Sequence, residues 1–334
     1  MRQIQIRKPG GLENLALTEG REPSAPGAGE IRVRLKASSL NFHDYAVAAG
    51  MIPTGEGRIP MADGAGTVEA AGEGVTEFAI GDSVVSCFFP EWQDGGFPSD
   101  FERVPGDGID GYAREAVTLP ATWFTRAPEG WSHEEAATIT TAGVTAWRSL
   151  VVEGGLKAGD TIAVLGTGGV SIYALQIAKA MGAKVIATSS SDEKLERLRS
   201  LGADHVINYR QVPEWGQEMR RLTEGRGVDQ IVEVGGPGTL AQSIIAGRAG
   251  AMIGLIGVLT GMGGEVPTAL LMSRQQRLQG ILVGSRRHQQ DFVAALNATG
   301  LRPVIDKSFD LAQLGEAFRH QESGKHFGKI CVTI

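Results

Sequence analysis

Hydrophobic and polar positions change rhythm once along the chain, near Glu134. Before it the period is two. Ile31-Arg32-Val33-Arg34-Leu35 alternates, Gly66-Thr67-Val68-Glu69-Ala70 opens another such run, and Ser83-Val84-Val85-Ser86 follows a Gly81-Asp82 turn; these predict half-buried strands. Residues 89–111, rich in Gly, Pro and Asp, read as a long surface excursion of the functional or mobile kind. After Glu134 the texture is that of helices alternating with buried strands. Residues 134–151 favour helix, then come a strand at Thr161 to Leu165, a glycine cluster, a helix from Ile172 to Met181 and a strand from Lys184 to Thr188. Further strands are expected at Val206-Ile207, Gln230 to Glu233, Ala251 to Leu255 and Ile281 to Val283, and a last one in the segment Gly328 to Ile334. Strand and helix in alternation predict an α/β fold with a doubly wound parallel sheet, joined to a β-rich domain.

Composition narrows the class. Hydrophobic residues make up 42% and charged residues 21%, too apolar for disorder, and 334 residues exceed the ~100–200 of one domain. The 47 Gly and 14 Pro amount to about 18% of the chain against a usual ~12%, with no Gly-X-Y period, so glycine serves tight turns and close backbone approaches. Two cysteines, Cys87 and Cys331, exclude a disulfide framework and a four-cysteine zinc site. A net charge of -6 offers no footprint for nucleic acid or an anionic membrane. No run approaches ~18 apolar residues, and the start, MRQIQIRKPGG, lacks a signal peptide's apolar core. A cytoplasmic protein with reduced thiols, and with no nucleic-acid or membrane partner, is expected.

The glycine cluster carries the first chemistry. Gly166-Thr167-Gly168-Gly169-Val170-Ser171 follows an apolar strand and opens a helix. A dinucleotide site needs a first glycine for the turn, a second for backbone approach to the pyrophosphate, and a helix N-terminus for partial positive charge. Ser171 stands where the third glycine is usual. An NAD site has a carboxylate about 20 residues on, at the strand end. Here that stretch ends in Ser189, Ser190 and Ser191, with no acid before Asp192. Hydroxyls there, with Lys194, suit a 2′-phosphate and favour NADPH (NADP+) as cofactor; Ser190-x-x-Glu193 also reads as a capping box that starts a helix.

Leu40-Asn41-Phe42-His43-Asp44, Asp63-Gly64-Ala65-Gly66-Thr67-Val68, Glu135-Ala136-Ala137-Thr138, Thr141-Ala142-Gly143-Val144-Thr145-Ala146-Trp147 and Leu201 to Tyr209 together carry a resemblance over essentially the whole chain. They resemble the medium-chain dehydrogenase/reductase superfamily, most nearly its zinc-independent branch around quinone oxidoreductase and alcohol-dehydrogenase-like relatives. The resemblance implies a GroES-like catalytic domain at 1–134, completed by 286–334, and a Rossmann domain at 135–285. It implies that Lys194 and Tyr209, 15 residues apart, contact the 2′-phosphate; the other reading of Tyr209 is an aromatic packed on the sheet edge. Zinc-dependent members hold the metal with Cys, His and Cys, and the matching positions here are Asn41, Ala62 and Thr141. Alanine cannot ligate a metal and the other two are poor zinc ligands, so no metal is expected. The resemblance also places Thr141 and Val144 at the nicotinamide, Gly235 in a turn beneath the cofactor, Gly257 in a glycine-dense segment (254–264) near it, and Phe327-Gly328-Lys329 on a strand returning toward it. It implies a homodimer through an edge strand near Ile281-Leu282-Val283.

Without a Lewis acid, developing negative charge must be met by hydrogen bonds. Hydride delivery to a conjugated carbonyl or quinone, a small-molecule substrate, suits such a site. Asn41 is the first candidate to donate to the substrate oxygen or the nicotinamide ribose, and Asp44 and Tyr45 are candidates for a proton relay. Asp44 reads equally well as a buried structural carboxylate, and His43 as a packing residue. Two alternatives stand beside this: a metal-free NADP-dependent alcohol dehydrogenase or ketone reductase, and an NADPH-binding sensor or structural protein without turnover.

Overall fold

The computed structural model describes residues 1–98 and 101–334. Contacts divide the chain into two units, 1–144 with 283–334, and 145–282. The first division falls later than the 134/135 junction expected from texture, because the helical stretch that begins at His133 runs on to Glu153 and is shared between the units.

In chain order the first unit contains β1 (Arg2–Ile6), β2 (Leu15–Glu19), β3 (Glu30–Ser39), α1 (Phe42–Ala48), β4 (Ala65–Ala71), β5 (Ser83–Ser86), β6 (Ala116–Pro120), β7 (Phe124–Arg126) and α2 (His133–Ala137). β1 and β2 form an antiparallel ribbon, and β3 pairs antiparallel with both β4 and β6. The period of two in β3 is what orients it. Ile31, Val33 and Leu35 enter the core with Val68, Val84 and Phe124. On the other face Arg34 reaches Glu69 at 2.8 Å.

The 89–111 segment is not a free excursion. Residues 99 and 100 lie outside the described residues, but Phe89 stacks edge-on against Phe88 and Phe101, and the Trp92 ring meets His288 with centroids 5.6 Å apart. The carbonyls of Trp92 and Gln93 accept from the amides of Arg286 and Arg287. Burial of the Phe88, Phe89 and Trp92 rings holds what the Gly/Pro/Asp content suggested was loose.

α3 (Val144–Trp147) straddles the division, and the second unit goes on with β8 (Thr161–Leu165), α4 (Gly169–Ala180), β9 (Lys184–Ser189), α5 (Asp192–Ser200), β10 (His205–Asn208) and α6 (Trp215–Leu222). It closes with β11 (Val228–Glu233), α7 (Pro237–Ala246), β12 (Gly247–Leu255), α8 (Thr268–Ser273) and β13 (Arg277–Gly280). The strands lie in the order β10-β9-β8-β11-β12-β13, all parallel. This is the doubly wound Rossmann order. β8 and β11 are buried along their whole length; β8 is the apolar run expected when helices cover both faces, whereas β11 buries Asp229, Gln230 and Glu233 as well. The chain starts at β8, winds outward to β10 and then crosses back to β11, so strand order reverses between β8 and β11.

Two expectations shift. Ile281 to Val283 is not a strand: the edge strand β13 ends at Gly280, and Ile281 then turns inward with its amide on the Leu255 carbonyl. The cap of α5 is Ser191, not Ser190, with the Ser191 hydroxyl accepting from the Lys194 amide. The chain then returns to the first unit through α9 (Arg286–Thr299), β14 (Ile305–Asp310), α10 (Leu314–Glu322) and β15 (Lys329–Thr333), and β15 inserts between β14 and β3. Among the described residues no helix is long and apolar enough to cross a membrane.

Candidate active site

Within the first unit, the ends of β3, β15 and the helical stretch after α2 bring polar side chains together, all of them buried except Thr141. Asp63 is fully buried. Its Oδ2 accepts from Ser39 Oγ at 2.5 Å and Asn41 Nδ2 at 2.9 Å, and its Oδ1 accepts from Thr141 Oγ1 at 2.6 Å. Lys329, equally buried at the start of β15, donates from Nζ to the Leu40 carbonyl and to Asn41 Oδ1, both at 2.6 Å, and lies 3.8 Å from Asp63 Oδ2. Burial penalises both charges. It pushes the Asp63 carboxyl up to about 6, against the pull of Lys329 and with a further push from Asp44. The same burial lowers the Lys329 ammonium below its ordinary range although Asp63 opposes the shift.

The expected catalytic residues take different places from those anticipated. Asn41 is central, but its amide hydrogens already face the carboxylates of Asp63 and Asp44 (3.0 Å), and its carbonyl takes the lysine. It organises the cluster and has no hydrogen left for a substrate oxygen. Asp44, one turn into α1, accepts from the backbone amides of Asn41 at 2.9 Å and Ala62 at 2.8 Å. It is the structural carboxylate of the two readings. Tyr45 leaves the cluster altogether: its ring packs on Phe318 and its hydroxyl donates to Glu322 at 2.7 Å. A relay through Asp44 and Tyr45 is therefore not assembled, because neighbouring residues on a helix point about 100° apart. Thr141 is partly exposed, unlike Ser39, Asn41, Asp63 and Lys329. It sits in a wide i→i+5 turn, Ile139–Gly143, closed by the Gly143 amide on the Thr138 carbonyl; such turns often mark functional positions. Val144 is buried against the Gly284 backbone, where a Cβ on that glycine would come within 2.8 Å of its methyl group.

His43 touches Asp107 at 3.4 Å and Asp44 at 3.8 Å and stacks edge-on against Phe88. Burial works against its charged form, yet the two carboxylates outweigh it and raise its pKa to about 9. The thiols of Cys87 and Cys331 are pushed up to about 12 by burial, so neither is a nucleophile.

In the second unit the glycine turn lies at the end of β8. Gly166 has φ +73°, and Cβ atoms built on Gly166 or Gly168 would meet nothing within 4 Å. The first turn of α4 has no side-chain cap, so its amides are left for an outside acceptor. This open, amide-lined turn fits a pyrophosphate. Gly169 and Val170 begin α4 half-buried, while Thr167 is buried. Ser171 is buried too and donates to the Leu165 carbonyl at 2.7 Å, tying helix to strand rather than facing a ligand. At the end of β9 the Ser189 hydroxyl accepts from the Ser191 amide, Ser190 is half-buried, and Tyr209 is exposed with its amide on the Ser189 carbonyl. Lys194 lies in the first turn of α5. Asp192 is already held by Asn208 at 2.6 Å.

The turn after β11 is different. Its glycines answer the protein's own packing: a Cβ on Gly257 would lie 2.2 Å from the Val234 carbonyl, and one on Gly235 would strike Thr239. Glu233, buried at the end of β11, accepts from the amides of Gly235 and Gly236 and from the hydroxyls of Thr239 and Ser243. Sequence reasoning missed Glu233 and the central role of Asp63 and Lys329. The available signal was a charged residue inside or beside an apolar strand, as in Ile231-Val232-Glu233-Val234 and Lys329-Ile330-Cys331-Val332.

Comparison with known proteins fits this architecture. Residues 27–129 match the family described as alcohol dehydrogenase GroES-like domain, and residues 169–299 the family described as zinc-binding dehydrogenase. The chain is 41% identical over 335 residues to a zinc-type alcohol dehydrogenase-like protein of Schizosaccharomyces pombe, covering 97% of this chain and 96% of that one. Among solved structures it is similar to an NAD-dependent alcohol dehydrogenase at 35% identity and TM-score 0.91, with both chains covered in full. It is also similar to a quinone oxidoreductase of Pseudomonas syringae at 26% identity and TM-score 0.83, covering 100% of this chain and 99% of that one. The chain belongs to the medium-chain dehydrogenase/reductase superfamily, a family of oxidoreductases, with a GroES-like domain and a parallel-sheet Rossmann domain.

Proposed function

We propose that this protein is a zinc-independent, NADPH-dependent oxidoreductase that delivers hydride to a conjugated carbonyl or quinone. The observation that carries the reading is that Asn41 and Thr141, at two of the three ligand positions, are already bonded to Lys329 and Asp63, with Ala62 at the third. The side chains at the three ligand positions of zinc-type relatives are here those of Asn41, Ala62 and Thr141, of which alanine offers no ligand atom and the other two are poor zinc ligands. Among the described residues no three His, Cys, Asp or Glu side chains come together as a metal site. The residues do not fit zinc, and no step is routed through one.

The glycine turn fits a nicotinamide dinucleotide, with Gly166, Gly168 and the first amides of α4 on the pyrophosphate. When bound, that cofactor supplies the hydride. NADPH is favoured by the hydroxyls of Ser189 and Ser190 and by Lys194 and Tyr209 near the end of β9. The engagement of Asp192, the nearest acid, by Asn208 supports that preference. A similar protein is described as NAD-dependent, so the cofactor preference is a direct test. The protein's part at the reacting end is to hold the acceptor's oxygen at Thr141 and to keep water from the buried cluster. The catalytic unit is taken as 1–144 completed by 283–334, the cofactor unit as 145–282, and the active form as a cytoplasmic homodimer joined through the outer edge of β13.

A second reading, a metal-free alcohol dehydrogenase or ketone reductase, is favoured by the Thr141–Asp63 bond, since a hydroxyl backed by a carboxylate can also accept an alcohol's proton. The experiment is an NADPH- and NADH-oxidation screen over quinones, enones, enals and ketones, with simple alcohols and NADP+ in reverse, each with and without a chelator. Chelator-insensitive reduction of enones or quinones with NADPH is expected. Chelator-sensitive turnover, or binding of neither cofactor at millimolar concentration, would overturn the reading.

A further inference from the structure

We propose that Thr141 and Asp63 form the proton path of this enzyme: Thr141 passes a proton between the buried Asp63 carboxyl and the oxygen of the bound acceptor, and Lys329 holds the charge left behind. The proposal rests on the oxidoreductase reading above.

Three observations carry it. The first is the charge count. Two buried carboxylates, Asp63 and Asp44, share one buried ammonium, Lys329, and among the described residues the other cationic partner, His43, lies against Asp44 and Asp107. Tyr112 and Cys331 also face Asp63, but burial raises both well above their ordinary range and keeps them neutral. A cluster with two carboxylates to one ammonium is eased by holding one additional proton. The second is geometry. Of the side chains on Asp63, those of Ser39, Asn41 and Lys329 are buried, and Thr141 alone reaches the surface of its unit, with its hydroxyl 2.6 Å from Oδ1. The third is the wide turn Ile139–Gly143 that sets Thr141 there.

The hydroxyl has two settings. While Asp63 is ionised, Thr141 donates inward and presents only oxygen lone pairs outward. Once Asp63 is protonated, the carboxyl donates to Thr141 Oγ1, and the threonine hydrogen turns outward. Reduction then balances as follows. The hydride pair forms the new C–H bond at the β-carbon of the acceptor, and the π electrons collect on its oxygen. Thr141 gives that oxygen its proton while Asp63 gives its own to Thr141. The carboxylate that remains lies beside Lys329, and solvent returns one proton to close the cycle. The oxidative direction runs the same path backward from ionised Asp63.

The test uses the full chain as wild type, Thr141→Val, Thr141→Ser and Asp63→Asn. Infrared titration without cofactor should find one buried carboxyl with a midpoint near pH 6 that is absent from D63N. T141V should move that midpoint upward, since it removes a hydrogen bond to the carboxylate, and T141S should leave it in place. In turnover, T141V should lose about 100-fold in the reduction rate, the lower range for a lost general acid, with NADPH affinity within about twofold, and T141S should restore most of the rate. A midpoint unmoved by T141V, or a reduction rate unmoved by it, overturns the proposal. A wild type that binds NADPH but reduces nothing sinks the function reading instead, and the infrared titration then judges the hydroxyl–carboxyl coupling by itself.

Discussion

Replacing Lys329 by methionine removes the only ammonium from the cluster while roughly keeping its volume. Two charge-assisted hydrogen bonds of 2.6 Å are lost, to Leu40 O and Asn41 Oδ1, together with the 3.8 Å approach to Asp63. Each bond to a charged group is worth about 1.5–3 kcal/mol, and the desolvation cost of the ammonium is recovered. The balance is set by what stays behind, an Asp63 carboxylate with no buried counter-charge, for which losses of ~3–5 kcal/mol are usual. Near neutral pH we expect K329M to lose about 3 kcal/mol in urea unfolding followed by tryptophan fluorescence. Without the ammonium the Asp63 midpoint rises above about 6, so the deficit should shrink as pH falls through that raised midpoint toward 6, because a neutral carboxyl needs no counter-ion. The double variant K329M/D63N should therefore be more stable than K329M near neutral pH. A loss below about 1 kcal/mol, a deficit that does not change with pH, or strictly additive losses in the double variant would refute the reasoning.

Three other outcomes are expected. The His43 pKa of about 9 exceeds its unfolded value of about 6.5, so its contribution, up to about 3 kcal/mol, is fully present below pH 6.5 and is lost as pH rises through 9; Asp107→Asn should flatten that fall in stability and lower the histidine midpoint seen by NMR. For Asp229, burial would raise the pKa, but the Arg226 side chain, the Thr161 amide and Arg248 outweigh it and hold the carboxyl down to about 2. Its stabilisation is complete above about pH 4 and is lost as pH falls through 2, and Asp229→Asn should cost about 2 kcal/mol near neutral pH by the same unfolding assay. Gly168→Ala, at φ -76° with open space around the new methyl group, should unfold like the wild type yet bind NADPH at least ~10-fold more weakly by fluorescence titration.

Periodicity along the chain determined a good deal. A strict period of two placed β3, and apolar runs punctuated by glycine placed β8, β9 and β12, because a strand buried on both faces has little choice of composition. The glycine turn was legible for a similar local reason: a positive φ at Gly166 and backbone approach at Gly168 leave few other residues possible. The excess of glycine thus had a readable cause. What could not be read were the places where one residue is defined by others far away in sequence. Ile281 to Val283 has the composition of a strand, but burial of Ile281 and Val283 turns the chain inward after Gly280. The 89–111 segment looks mobile from its Gly, Pro and Asp content, and is held by Phe88, Phe89 and Trp92 against partners as distant as His288.

The candidate site divides along the same line. Asn41, Asp44 and Thr141 are recognisable residue by residue, but their roles were decided by Asp63 and by Lys329, which lies 288 positions from Asn41 in the chain. Only the folded unit brings that ammonium onto the amide, and by doing so it takes Asn41 out of direct substrate contact and leaves Thr141 as the way into the cluster. Local backbone demands are written in the sequence next to the residue that meets them. The charge balance of a buried cluster is a sum over β3, α1, β15 and the turn after α2, and its value exists only once they are packed together.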